Sequence, residues 1–417
     1  MSPLASYARL LDLVGPMYVA VAFVGRLPLS MSQIGTMLLV SSATDSYGTG
    51  GLAAGALAVA NAVGSPFAGA LADRIGQRSV VLVQSLAGAA GLAALVALTS
   101  SGAPGGALVA TAAAAGLVLP TVGPLARVRW RPITAPAGAQ QGRLMGAAFS
   151  YEGAADEASF VLGPAVVGAL VALVSPSAAI LFAAGLLAVF GCAFALHPTA
   201  LLTGGGGRAA GGGRVVTGLF VALFGAQLCV GLLFGSIQTG TTALTTDAGQ
   251  PGLAGLVHAL LGIGSVVAGL ATVALPERFG HERRVLVSAA FLLVLSVPFL
   301  LVDSVPTLVL AVLLIGFGVA PYMIANFSIA ERAVPLARVG LAMTLLAGAT
   351  GIGYAIGSTT AGRLADLHGY GAAFMVTVGA TVLALALAVV LQRPARQALR
   401  EADERSAAAG AGDPVIA

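Results

Sequence analysis

Three acids interrupt one apolar stretch of the chain: Glu152, Asp156 and Glu157. Glu152, Asp156, Ser159 and Gly163 recur at helical spacing and share one face, while Glu157, Phe160, Pro164 and Gly168 form the face beside it. A charge at the middle of a membrane helix costs about 2.5–3.5 kcal/mol on the insertion scale, so acids placed there face a cavity or a partner. The chemistry open to them is uptake and release of a proton. Arg26 lies about ten residues into the first apolar stretch, about 15 Å deep at 1.5 Å per residue, and Asp156 is at comparable depth from the same side. An ion pair of Arg26 with Asp156, or with Glu157, offsets the burial of both. Arg26 can also be read as a structural brace, and Glu152 as the answer to Arg74 and Arg78 at the membrane surface.

Other polar groups stand singly. His258, about two turns into its stretch, either titrates near neutral pH or packs as a neutral, hydrogen-bonded histidine. Asn61, Gln227, Gln238 and Asn326 are candidate hydrogen bonders in a cavity. Cys192 and Cys229 sit among apolar residues and read as packing residues, so no metal and no cofactor is expected.

Positioning these residues requires a membrane scaffold. Of the 417 residues, 58% are hydrophobic and 9% charged, whereas a soluble domain is usually about a quarter charged. Apolar spans are expected at 16–42, 50–70, 80–99, 106–126, 144–174, 178–196, 215–244, 252–275, 285–302, 306–328, 340–362 and 371–391. This predicts an all-α integral membrane protein with twelve transmembrane helices. The start of the chain lacks the pattern of a cleaved signal peptide, so the first helix is expected to be retained. Every one of the 20 basic residues is Arg. Eighteen of them fall on the side of the two termini, Arg363 falls opposite, and Arg26 is inside a span. By the positive-inside rule both termini are expected in the cytoplasm; the expected location is the inner (plasma) membrane. The net charge of +4 belongs to those loops and does not imply a nucleic-acid partner.

The stretch Gly69–Leu82, GALADRIGQRSVVL, is a tight turn of charge and glycine between two spans. Gly69, Leu71, Asp73, Arg74, Gly76 and Arg78 fall where the major facilitator superfamily carries its loop 2–3 signature, and the sequence resembles that family of twelve-helix secondary transporters. Among its branches it is most like the twelve-helix efflux and antiporter proteins, because Gly163-Pro164-Ala165-Val166-Val167-Gly168-Ala169-Leu170 resembles their span-five signature, with Val167 in place of the first of the paired glycines. The halves also repeat: Ala70–Gly76 lies over Ala274–Gly280, matching Asp73 with Glu277, Arg74 with Arg278 and Gly76 with Gly280. Two six-helix bundles follow, at 1–200 and 215–391, with a Gly-rich linker at 201–214 and a cytoplasmic tail at 392–417.

The resemblance implies alternating access, with Asp73 latching onto the positive end of a facing helix while Arg74 and Arg78 bind acids or carbonyls. It also implies that spans three, six, nine and twelve are peripheral, which agrees with their scarcity of polar side chains. The glycines at 51 and 55, 163 and 168, 264 and 269, and 353 and 357 are expected at the seam between bundles. The expected function is proton-coupled efflux of a small organic compound, a drug or metabolite, by a monomer in the lipid bilayer. Uptake of a sugar or organic acid by symport or uniport is the alternative. A membrane-bound enzyme or sensor is remote, because no HExxH, CxxC, nucleophile elbow or phosphate loop occurs.

Overall fold

Hydrocarbon offers the backbone no partners, so each crossing must bond its own N–H and C=O groups and becomes helical. The computed structural model describes residues 3–45, 47–203, 215–250, 253–276 and 279–411, and all regular structure among them is helical. Glu277, Arg278 and the linker residues 204–214, on which sequence expectations rest, lie outside the described residues.

The first span is two helices, α1 (Pro3–Val24) and α2 (Leu27–Thr44). Pro28 has no N–H to return to Val24, and Arg26 bonds one residue short of the helical register, its N–H donating to Phe23 O at 3.1 Å. The helix therefore breaks where the buried arginine stands. Next come α3 (Tyr47–Ile75) and α4 (Gln77–Ser100), joined at Gly76, whose φ of 90° suits glycine. The fourth span is also broken: α5 (Gly105–Val118) stops before Pro120 and α6 (Val122–Thr134) continues the path. The expected boundary at residue 126 is thus too early, and Arg127, Arg129 and Arg131 belong to a helix rather than to a surface loop.

The long helix α7 (Gln141–Leu173) carries the three acids. The sixth span combines α8 (Pro176–Leu186), a π turn at Leu187–Gly191 and α9 (Cys192–Leu196). The second half contains α10 (Gly218–Asp247), α11 (Ala254–Ala271), α12 (His281–Ser296), α13 (Val305–Ala333), α14 (Val339–His368) and α15 (Tyr370–Ala411). α15 continues well past residue 391, so the start of the tail is one helix with the last crossing. Eleven stretches are long and apolar enough to cross a membrane, and one of them, the 67 residues Gly105–Val171, turns back at Gly138 and holds two crossings. The expected twelve follow.

Within the first half α3 packs on α5 and α2; within the second, α10 packs on α14 and α15, and α11 on α13. The halves meet along α3 with α14 and α7 with α11. These contacts lie toward the face on which α1 begins and α15 ends, called here the terminal face: Gly69 against Gly340 and Thr344, Ala154 against Gly269, and Val161 against Gly262. Farther from that face each helix turns to its own half. α3 meets α5 at Gly116 with Leu57, and α14 meets α10 at Gly353 with Leu228 and at Gly357 with Leu232.

The glycine expectation is corrected accordingly. Gly353 and Gly357 pack inside one half, Gly163 fits against Ser30 of α2, and Gly51, Gly55 and Gly168 have no atom within 4 Å of where a Cβ would stand. Of the expected glycines, Gly269 does stand at the seam, against Ala154 of α7, whereas Gly264 packs on α13 within its own half; the other α3–α14 and α7–α11 seam glycines are Gly69, Gly340, Gly348 and Gly262, with Gly153 meeting α13.

Candidate functional site

Three elements converge on the acidic face of α7. The break in the first span points Arg26 inward, and α6 supplies Arg127 and Trp130. Arg26 pairs with Glu152 through Nη2 and Oε2, and its Nη1 lies 3.6 Å from Asp156 Oδ1. Arg127 Nη2 reaches Asp156 Oδ2 at 2.7 Å, and Trp130 Nε1–H donates to Glu152 Oε1 at 2.6 Å. The Arg127 guanidinium also lies 4.4 Å from the centre of the Phe327 ring on α13, across the seam. Gly123 makes room for this, because a Cβ there would strike Asp156.

Burial separates the two acids. Glu152 is fully buried and both its oxygens are engaged, whereas the Asp156 side chain is 20% exposed. Two arginines against two acids leave the cluster formally neutral. The guanidinium donors still outnumber their acceptors: Nε and Nη1 of Arg26 and of Arg127 are buried and make no hydrogen bond. Buried donors of this kind are costly to leave unmade, so the site has capacity for another acceptor.

The expected Arg26–Asp156 pair is thus present, with Glu152 as the nearer partner of Arg26. Glu152 does not answer Arg74 and Arg78, which are exposed and make no ion pair among the described residues. Glu157 is buried on the face toward α11, beside Ser265. His258, on α11, has an Nδ1 without a hydrogen-bond partner. Gln227 and Asn326 are buried in the second half; both amide atoms of Gln227 and the Asn326 oxygen are unpartnered, while Asn326 Nδ2 donates to Tyr322 O. Gln238 accepts from Tyr354 Oη–H at 2.6 Å at an exposed position. Asn61 serves the backbone rather than a cavity, because its Nδ2 donates to Gly116 O and Leu119 O and holds the carbonyls left open where α5 ends.

A second group closes the terminal face. The Asp73 carboxylate accepts the N–H groups of Gly340 and Leu341, both at 3.0 Å, at the start of α14. Arg131 pairs with Glu331 of α13 at 2.7 Å, and Tyr7 Oη–H donates to Leu270 O at 2.8 Å. Gly69 is required for this closure, because a Cβ would stand 2.5 Å from Thr344 Oγ1 and 2.8 Å from Gly340 O. Gly280 begins α12 as the repeat of Gly76.

Sequence reading missed Arg127, Arg129, Trp130 and the Arg131–Glu331 pair. Arg127 and Arg131 are one helical turn apart and face the seam, whereas Arg129 faces the opposite way. There Arg129 donates to Gln77 Oε1, Phe194 O and Thr199 Oγ1, and its charge, after burial, helps hold His197 below the usual histidine range. The signal was present as arginines spaced by four residues around a single Trp.

Comparison with known proteins places this geometry. The family model described as Major Facilitator Superfamily matches residues 219–414. The fold of nearly the whole chain is similar to that of the human organic anion transporter MFSD10 (TETRAN), with a TM-score of 0.67, 22% identity and coverage of 89% of this chain and 99% of that one. It is similar also to a bacterial homologue of the iron transporter ferroportin in an outward-facing state (TM-score 0.65, 17% identity, 89% of this chain and 98% of that one). The fucose:proton symporter of E. coli aligns with a TM-score of 0.62 at 13% identity, over 91% of this chain and 99% of that one. No curated protein sequence matches the chain. Residues 219–414 thus match the Major Facilitator Superfamily, and the fold of nearly the whole chain is similar to that of solved membrane transporters.

Proposed function

We propose that the protein couples proton movement to export of a small, partly apolar organic compound, working as a monomer by alternating access in the inner (plasma) membrane. The observation that carries this reading is Asp156: a partly exposed carboxylate held between Arg26 and Arg127 where the first span is broken. Ionised, it completes the network; protonated, it loses its hold on Arg127 and loosens α6 from α7. The arginine bias supports cytoplasmic termini, and on that reading the closed terminal face is the cytoplasmic one and the present state is outward-facing. Pro164 and the glycines on either side of it favour a helix that packs in alternate states, as in exporters.

A second reading is supported by the unpartnered guanidinium donors of Arg26 and Arg127. Such donors suit a carboxylate, and an anion entering a neutral cluster favours a proton on Asp156, so anion and proton would move together as in symport. The likeness in fold to an organic anion transporter and to a fucose:proton symporter fits this reading.

The test is reconstitution in liposomes carrying a pH-sensitive dye, with a panel of hydrophobic cations, antibiotics, sugars and organic acids. Export predicts that a compound from the panel moves against the proton flow. Co-movement of an organic acid with protons selects the second reading, and a panel that equilibrates without proton movement rejects coupling.

A further inference from the structure

A cleft of about 670 Å³ opens on the terminal face, away from the acidic face of α7. Its first-half wall includes Gly142, Arg143 and Gly146 at the start of α7. No atom lies within 4 Å of where a Cβ on either glycine would stand, so this wall is recessed. The second half supplies Arg283 and Arg284 from α12, Arg332 from α13, and Arg396 and Arg400 from α15. Among the described lining residues that makes, with Arg143, six arginines against two acids, Glu282 and Asp403, a formal local charge of +4.

The acids are already committed. Asp403 pairs with Arg332, and Glu282 lies 3.6 Å from Arg396. Arg284 donates to the backbone carbonyls of Phe279, Leu275 and Pro276, which fixes its guanidinium at the cleft wall. Arg283 and Arg400 are exposed and make no ion pair among the described residues. The cleft therefore holds fixed cations, cations with no ion pair among the described residues, and an apolar lining that includes Leu275, Phe279 and Leu399. Convergent arginines around a recess match the charge and fork geometry of a phosphate group, and basic pockets beside membrane helices suit anionic lipid headgroups.

We propose that this cleft binds a phosphate-type anion across the two halves, with the headgroup of an anionic phospholipid or a soluble phosphate as its source. Because both halves line it in the state closed at the terminal face, occupancy stabilises that state. By linkage, closing and anion binding favour each other.

The experiment titrates the full-length protein in detergent with short-chain phosphatidylglycerol, with short-chain phosphatidylcholine and with inorganic phosphate, reading thermal stability and the separation of spin labels on the terminal ends of α3 and α14. Phosphatidylglycerol is expected to raise the midpoint and the closed fraction where phosphatidylcholine does not. The double variant Arg283→Gln/Arg400→Gln is expected to bind about thirtyfold more weakly, at roughly fivefold per surface arginine. Arg283→Lys/Arg400→Lys keeps the charge and loses the fork, and should recover part of the response, which separates lost charge from misfolding. An equal response to millimolar inorganic phosphate assigns the soluble source. No response to either anion, or an unchanged response in the double Gln variant, overturns the site.

Discussion

Asp73 of α3 accepts the backbone N–H of Gly340 at 3.0 Å, and Leu341 donates to its second oxygen at the same distance, so one carboxylate caps a helix belonging to the other half of the molecule. A carboxylate at a helix N-terminus gains about 0.3–1 kcal/mol from the dipole, and up to about 2 kcal/mol when partly buried. Asp73→Asn keeps the shape and loses the charge. The expected result is a shift of roughly fivefold toward the state open at the terminal face, for about 1 kcal/mol lost. Spin-label distances between the terminal ends of α3 and α14 report it, and an unaltered distribution would show that the cap does not govern closure.

Arg131 and Glu331 pair at 2.7 Å, with the arginine side chain 36% exposed and the glutamate 6% exposed. That difference predicts unequal mutants. Glu331→Gln leaves an arginine that water can reach and costs about 1 kcal/mol or less. Arg131→Gln strands a buried carboxylate, a larger loss. Closed-state populations of the two variants check the order, and equal effects contradict the asymmetry.

Trp130 is packed edge-on to Tyr18, with ring centroids 5.5 Å apart, and donates to Glu152 from the same indole. Trp130→Phe retains a ring and deletes the donor, leaving a fully buried carboxylate oxygen without that partner. The expected cost is about 1–3 kcal/mol, seen as a lower unfolding midpoint in detergent. A midpoint equal to wild type would mean that the hydrogen bond adds nothing net.

How far the sequence could be read follows from the forces involved. Hydropathy alone located the crossings, because the bilayer sets their length, whereas the Asp73 latch was legible only through the resemblance of Gly69–Arg78 to a family signature, since a charged turn by itself also serves simply to end a span. The breaks at Arg26 and at Pro120 were not legible as breaks, since proline inside a span does not say whether the helix bends or stops. Arg127 and Arg129 read as surface charge because an arginine at the end of a span satisfies the orientation rule whether or not it turns inward. Their burial depends on Asp156, Gln77 and Thr199, partners distant in sequence. Glu331 was hidden in the same way by its position just before Arg332, where an acid and a base look like a local pair; Arg332 instead meets Asp403.

Asp156, held between Arg26 and Arg127, is the proposed carrier of the coupling proton. Transport of a labelled substrate into or out of proteoliposomes, with and without an imposed pH gradient, compares wild type with Asp156→Asn most directly. The wild-type rate is expected to rise with the gradient, whereas the Asn variant still exchanges substrate at a rate indifferent to it. A variant that remains fully driven by the gradient would contradict the assignment and move the proton to another acid.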